Sequence, residues 1–182
     1  MDERPVVFSQ TFEGLFLQGL KGRVTPALKD RLRELGLELD RPLAPAYPVE
    51  VWNGALAAAA AEVFPALSSL DAHEALGVAF LTGYAHTLMG RAMMALLRVL
   101  GPKRALERME RNFRSGNNYV RTRFIDHGRD DVEVLFDVMY EVPTFMKGVI
   151  LHGARELGAR DVRIDVSDTD RPRSYRVRWT AG

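Results

Sequence analysis

The sequence predicts an α+β fold in which an N-terminal helical layer packs on a four-stranded antiparallel sheet. Three observations point there. Apolar residues recur at helical spacing up to about Ser115, the period changes to two from Asn118, and the last third reads strand, strand, helix, strand, strand. Two hairpins joined by one helix can close a single antiparallel sheet with one face on the helices and the other in water. At 182 residues the chain is expected to be one domain over 1–182, with a helical part over about 9–115 and a sheet part over about 118–180.

The elements follow in order. Val6 to Phe8 reads as a short extended start, and Phe12, Leu15, Phe16 and Leu20 then form one helical stripe. In TPALKDRLRELGL, Thr25 suits an N-cap, Pro26 the first helical position and Gly36 the stop. A proline-rich connector, Arg41 to Pro48, leads to VEVWNGALAAAAAEVF, whose run of alanines favours helix.

One long apolar helix is expected from about Ala72 to Leu100, with Asp71 and Glu74 at capping spacing and Gly101-Pro102 as its break. Gly77, Gly83 and Gly90 within it mark close backbone approach, a bend or a ligand wall. Lys103 to Ser115 forms a further helix with Leu106, Met109 and Phe113 inward.

The first hairpin alternates Val120, Thr122 and Phe124 with Tyr119, Arg121 and Arg123, and returns through Val132, Val134, Phe136 and Val138. Pro143 starts and Gly158 ends the intervening helix. The second hairpin pairs Val162–Val166 with Tyr175–Trp179 across DTDRPR. The wet face would carry Arg121, Arg123, Glu133, Asp137, Arg163, Asp165, Arg176 and Arg178, mixed in sign and able to pair across strands.

Composition excludes several functions. With 25 basic and 24 acidic residues, the total charge indicates no general attraction to nucleic acid, and none is expected as a partner. The absence of cysteine removes disulfides, thiolate catalysis and Cys-based zinc sites, and fits a cytoplasmic setting. MDERPVVFSQ is not a secretory signal, and Glu74, His86 and Arg91 interrupt the most apolar run, so no transmembrane segment is expected. No Gly-x-Ser-x-Gly, P-loop, dinucleotide fingerprint or spaced acid pair is present, and the chain is read as a non-enzyme with no catalytic residue. No histidine stands at metal-site spacing, so no metal is expected.

RNFRSGNNYVRTRF places Arg111, Arg114, Arg121 and Arg123 around a Gly-Asn-Asn turn. Two readings stand: an anion site, or a helix exit with a left-handed residue at Gly116-Asn117 and arginines answering the helix dipole. His86 reads either as a ligand to a metal or haem iron or as a packed, hydrogen-bonded residue, and Arg91 in so apolar a helix calls for a buried acceptor. Gly83, Gly90, Met89 and Met93 on the long helix suggest a face for a homodimer.

PLAPAYPVEVW, LTGYAHTLMGRAMMALLRVLGPKRAL, RNFRSGNNY and the terminal YRVRW resemble an uncharacterised family of about this length that occurs as many paralogues in myxobacteria. The layout of helices followed by ββαββ is also similar to vinyl-reductase-associated (4VR) domains, TRAPP vesicle-tethering subunits and haem nitric-oxide-binding domains. The last group carries an upstream proximal histidine and a later Tyr-x-Ser-x-Arg that receives the haem propionates. Here His86 precedes Tyr119-Val-Arg-Thr-Arg123, which matches at Tyr119 and Arg123 and has Arg121 where the serine would be.

The expected function is a non-catalytic ligand-binding sensor or adaptor module in cytoplasmic signalling or regulation, with an apolar cavity or groove beside the Gly83/Gly90 helix. A small apolar ligand would be its partner, and the candidate ligand-binding residues are Gly83, His86, Gly90, Arg91, Tyr119 and Arg123. Two alternatives stand beside it. One is a protein-interaction module with a filled core that acts through dimerisation; the other is a haem or tetrapyrrole sensor.

Overall fold

The computed structural model describes residues 4–168 and 172–181. Strand β1 (Val6–Phe8) leads straight into α1 (Ser9–Phe12), which continues as a π-helical segment, Glu13–Gly19. Phe12, Leu15, Phe16 and Leu20, the expected stripe, are all buried. Helix α2 (Pro26–Glu34) begins as its cap predicts: the Thr25 hydroxyl accepts from Leu28 N–H at 3.1 Å, and Gly36 beyond its end has φ +88°.

Strand β2 (Ala46–Pro48) pairs antiparallel with β1, and α3 (Val49–Val63) follows. Trp52 of α3 is the aromatic hub of the core, meeting Phe12 and Phe145 edge-on with ring centroids 5.1 and 5.8 Å away. Such pairs add to what apolar burial already contributes.

The expected long helix is two helices, α4 (Ser69–Tyr84) and α5 (Leu88–Glu107). The physical reason is a cap hidden inside the apolar run. The Thr87 hydroxyl accepts from Gly90 N–H at 3.0 Å and donates to the Tyr84 carbonyl at 2.8 Å, which ends one helix and starts the next. The cap of α4 also lies earlier than Asp71: Ser68 Oγ accepts from Asp71 N–H at 3.2 Å and donates to Asp71 Oδ2 at 2.6 Å. The expected break at Gly101-Pro102 is a kink within α5, where Gly101 has φ +76°. A short helix α6 (Met109–Phe113) completes the helical part.

Sheet strands β3 (Arg121–Gly128), β4 (Asp131–Val138), β5 (Ala159–Ser167) and β6 (Arg173–Ala181) form one antiparallel sheet in the order β3-β4-β6-β5, with α7 (Pro143–Glu156) between the hairpins. This is the expected ββαββ arrangement. Residues 169–171 of the DTDRPR turn lie outside the described residues. Val132, Val134, Phe136, Tyr175 and Val177 face inward and are buried in the same cluster as Phe145, Met146, Val149 and Ile150 of α7. The other face pairs charges as expected: Arg123 with Asp137 at 2.8 Å, Arg176 with Asp131 at 2.8 Å, and Arg178 with Asp165.

Helix α4 runs through the centre because it carries glycine where its neighbours cross. A methyl at Gly77 would overlap the Phe145 carbonyl of α7, and one at Gly83 would overlap the backbone of Gly14 and Gly19 in the π-helical segment. The expected close approach is real, and it is internal. Gly83 and Gly90 are buried by their own chain, which corrects the expectation that they shape a dimer face; Met89 is exposed and Met93 turns inward. No helix of the described residues is long and apolar enough to cross a membrane.

Candidate functional site

A cavity of about 110 Å3 lies where α4, α5, α7 and the segment after α6 meet. Its walls are mostly apolar, with Thr11, Asn112, Ser115 and Asn117 among them. Helix α4 contributes Phe80 and Tyr84, α5 contributes Met93, Met94, Leu97, Ala105 and Leu106, and α7 contributes Met146, Val149 and Ile150. Met94, Leu97 and Ala105 form a small buried cluster separate from the main core, which α5 joins through Leu106, so α5 is less embedded than α4 or α7. Its opposite side is open: Leu88 is 81% and Val99 85% exposed.

One end of the cavity is polar. Glu141, in the turn between β4 and α7, is only 4% exposed and lines the cavity with Tyr119. The Tyr119 hydroxyl donates to Glu141 Oε1, and Tyr140 N–H donates to Glu141 Oε2 at 3.2 Å. Burial pushes the Glu141 carboxyl above the ordinary carboxylate range, and donors that include Tyr119 and the Trp52 side chain oppose that shift without cancelling it. Burial, with the Glu141 charge second, also raises the Tyr119 phenol far above its usual value. A second tyrosine on the wall, Tyr84, bonds Ser115 Oγ at 2.9 Å and is raised by burial.

Tyr119 reaches the interior because the alternation of the first hairpin fails at its start. The strand begins at Arg121, with a register shift between Arg121 and Thr122, so Tyr119 and Val120 are both buried. The Gly-Asn-Asn segment behind it is a stitch to the N-terminus. Phe8 N–H donates to the Gly116 carbonyl at 2.8 Å, Val6 N–H to Asn118 Oδ1 at 2.8 Å, and Val120 N–H to Asn117 Oδ1 at 2.9 Å.

Gly116 lacks the expected left-handed conformation, which corrects the cap reading; its glycine is needed because a Cβ there would sit 2.8 Å from Thr11 Oγ1. The arginines do not converge either. Arg114 pairs with Glu110 at 3.4 Å, Arg121 donates to the Val120 carbonyl at 2.9 Å, and Arg123 pairs with Asp137 on the outer sheet face.

Of the predicted site residues, Tyr119 alone lines the cavity. Gly83 and Gly90 are packed into helix crossings and turns behind it. His86 and Arg91 are exposed, and Arg91 Nη1 lies 3.4 Å from the His86 carbonyl. The expectation of a buried acceptor for Arg91 is therefore corrected: the break at Thr87 reorients the second helix and turns Arg91 to solvent. Glu141 was missed, although a lone acid within VMYEVPTFM is a visible signal. No histidine lines the cavity. His73 Nδ1 lies 2.7 Å from the Ser69 carbonyl, His127 pairs with Glu133 and His152 with Thr82. No group of His, Asp or Glu among the described residues is arranged to hold a metal ion.

The fold is that of solved H-NOX structures. An Fe(II) unliganded H-NOX protein from K. algicida is 9% identical, with a TM-score of 0.68 over 95% of this chain and 96% of that one. A mutant of that protein gives 0.69 at 11% identity over 96% and 97% of the two chains. An oxygen-binding H-NOX domain related to soluble guanylate cyclases, solved as its oxygen complex, gives 0.64 at 14% identity over 94% and 92%. No curated protein sequence matches the chain. Residues 5–180 match the family described as Protein of unknown function (DUF2378), and the chain belongs to that family.

Proposed function

We propose that the chain is a non-catalytic sensor or adaptor module, serving cytoplasmic signalling or regulation, whose small ligand enters the cavity beneath α5. The observation that carries this reading is a mostly apolar, partly open space with a buried acid and phenol on its wall, walled on one side by a helix less embedded in the main core than α4 or α7. Pockets that bind small molecules have this character, mostly apolar with a few placed polar groups. Met93, Met94, Met109 and Met146 on the wall can repack around a guest. A ligand that fills the space changes how firmly α5 is held, and that change is the signal a sensor needs.

The H-NOX neighbours make haem the obvious group to test, and the residues here do not fit it. Histidine, cysteine thiolate, methionine with histidine, or tyrosine hold haem iron. The chain has no cysteine and the wall no histidine, while the Tyr84 and Tyr119 phenols are raised by burial and already hydrogen-bonded. The tyrosine that the resemblance would assign to a propionate donates to an internal carboxyl, and Glu141 would face that anion with its own charge. The cavity of about 110 Å3 is also well below the roughly 300–1,000 Å3 of pockets for drug-sized ligands.

Thermal melts with a small apolar probe, butan-1-ol, test the reading. Binding to the native state alone raises Tm with probe concentration. The rise should appear in wild type and vanish in Leu97→Trp, which fills the space. An equal rise in both proteins, or none in wild type, contradicts a binding cavity.

A further inference from the structure

Among the described residues, the buried carboxyl of Glu141 has no counter-charge. Its hydrogen-bond partners are the Tyr119 hydroxyl, backbone N–H groups and the Trp52 side chain, all neutral. The nearby guanidinium of Arg173 donates to the Glu141 backbone carbonyl at 2.8 Å and pairs with Asp168, so it is committed elsewhere. Among the described residues, no lysine, arginine or histidine lines the cavity, and no second acid does. Ionised, an acid so placed is costly unless a cation completes it; without one it holds its proton, since buried charges are ordinarily paired.

We propose that the cavity takes a small apolar amine, with its ammonium group against Glu141 and its hydrocarbon body against Met94, Leu97 and Phe145. This inference rests on the ligand-binding reading above and narrows it to a chemical class. The ammonium supplies the missing positive charge, and its N–H groups find acceptors in the carboxylate and in the Tyr119 oxygen. The low dielectric of the cavity strengthens that attraction relative to water. A carboxylate ligand meets repulsion at the same end, and an uncharged alcohol meets neither effect. Size sets the other limit: an apolar cavity of about 150 Å3 admits benzene, so a space of about 110 Å3 calls for a short or compact chain.

Calorimetric titration of the full chain with butylamine, butan-1-ol and butyrate separates the possibilities. Wild type should bind butylamine at least about tenfold more tightly than butan-1-ol and should not bind butyrate measurably. Glu141→Gln should lose the preference for butylamine and keep its affinity for butan-1-ol. Arg123→Gln, which changes a charge on the outer sheet face away from the cavity, should keep the preference, and retained butan-1-ol binding by Glu141→Gln guards against a folding defect in that variant. Equal affinity of wild type for butylamine and butan-1-ol, or tight butyrate binding, overturns the amine assignment while the cavity reading stands. Absence of binding by all three probes overturns both.

Discussion

Tyr119 and Glu141 meet inside the molecule, twenty-two positions apart in sequence, with the phenol donating to the carboxyl at the polar end of a mostly apolar cavity. The pair joins the segment before β3 to the turn before α7. Tyr119→Phe leaves a buried acceptor short of a donor, and losing a hydrogen bond to such a group typically costs about 1.5–3 kcal/mol. Arg123→Gln, which removes an exposed pair with Asp137, should melt near wild type. Urea titrations of both variants check the order, and a larger loss for the Arg123 variant contradicts it.

The Glu141 carboxyl gives stability a pH dependence of defined sign. Because burial raises its pKa, the folded chain holds the proton more tightly than the unfolded chain does. Its contribution is therefore fully present below the unfolded pKa of about 4.3 and is lost as pH rises through the folded value. Glu141→Gln removes that loss. The Tm of the variant minus that of wild type should be larger at pH 8 than at pH 5. Asp126, Asp131, Glu133 and Asp137, whose pKa values are lowered by ion pairs and hydrogen bonds, act in the opposite direction but equally in both proteins. A difference that is flat across this range contradicts a buried, titrating Glu141.

Glycine at the α4–α7 crossing is a packing requirement. A methyl at Gly77 would strike the Phe145 backbone carbonyl, which cannot move without shifting α7, whereas one at Gly54 would touch only the Leu35 side chain, 3.2 Å away. Gly77→Ala should destabilise by about 1–3 kcal/mol, the usual cost of overpacking, and Gly54→Ala should be close to neutral. Denaturant midpoints decide, and similar midpoints for the two variants contradict the crossing geometry.

Helix α5 should be less protected than its neighbours. Apart from Leu106 in the main core, it packs through the small Met94, Leu97 and Ala105 cluster and is interrupted at Gly101, while α4 and α7 sit in the main core. Native-state hydrogen exchange should show faster opening over Leu88–Glu107 than over Ser69–Tyr84. Equal protection would remove the mobile wall from the account.

Much of the architecture was legible in the sequence. Thr25, Pro26 and Gly36 bracket α2 through local chemistry, and the change of period at Asn118 announces the sheet because side-chain direction in strands repeats every two residues. The site was less legible. The break between α4 and α5 depends on one threonine within an apolar run, and missing it turned His86 and Arg91 inward on paper when both face solvent. Tyr119 came from a motif resemblance, and the strict alternation of the hairpin would have put it on the wet face. Glu141 is defined by what surrounds it in space, with Trp52 and Tyr119 brought from distant parts of the chain. Sequence spacing carries no trace of that convergence.

Methionine-methyl NMR during a titration with butan-1-ol tests the central claim most directly, since the methionines report on both sides of the cavity wall. Met93, Met94, Met109 and Met146 line the space, while Met89 on the same α5 is 49% exposed. A ligand cavity predicts saturable shifts at the four lining methyls with one common affinity and no saturable shift at Met89. Saturation confined to Met89, or linear drift at every methyl, would contradict a binding site beneath α5.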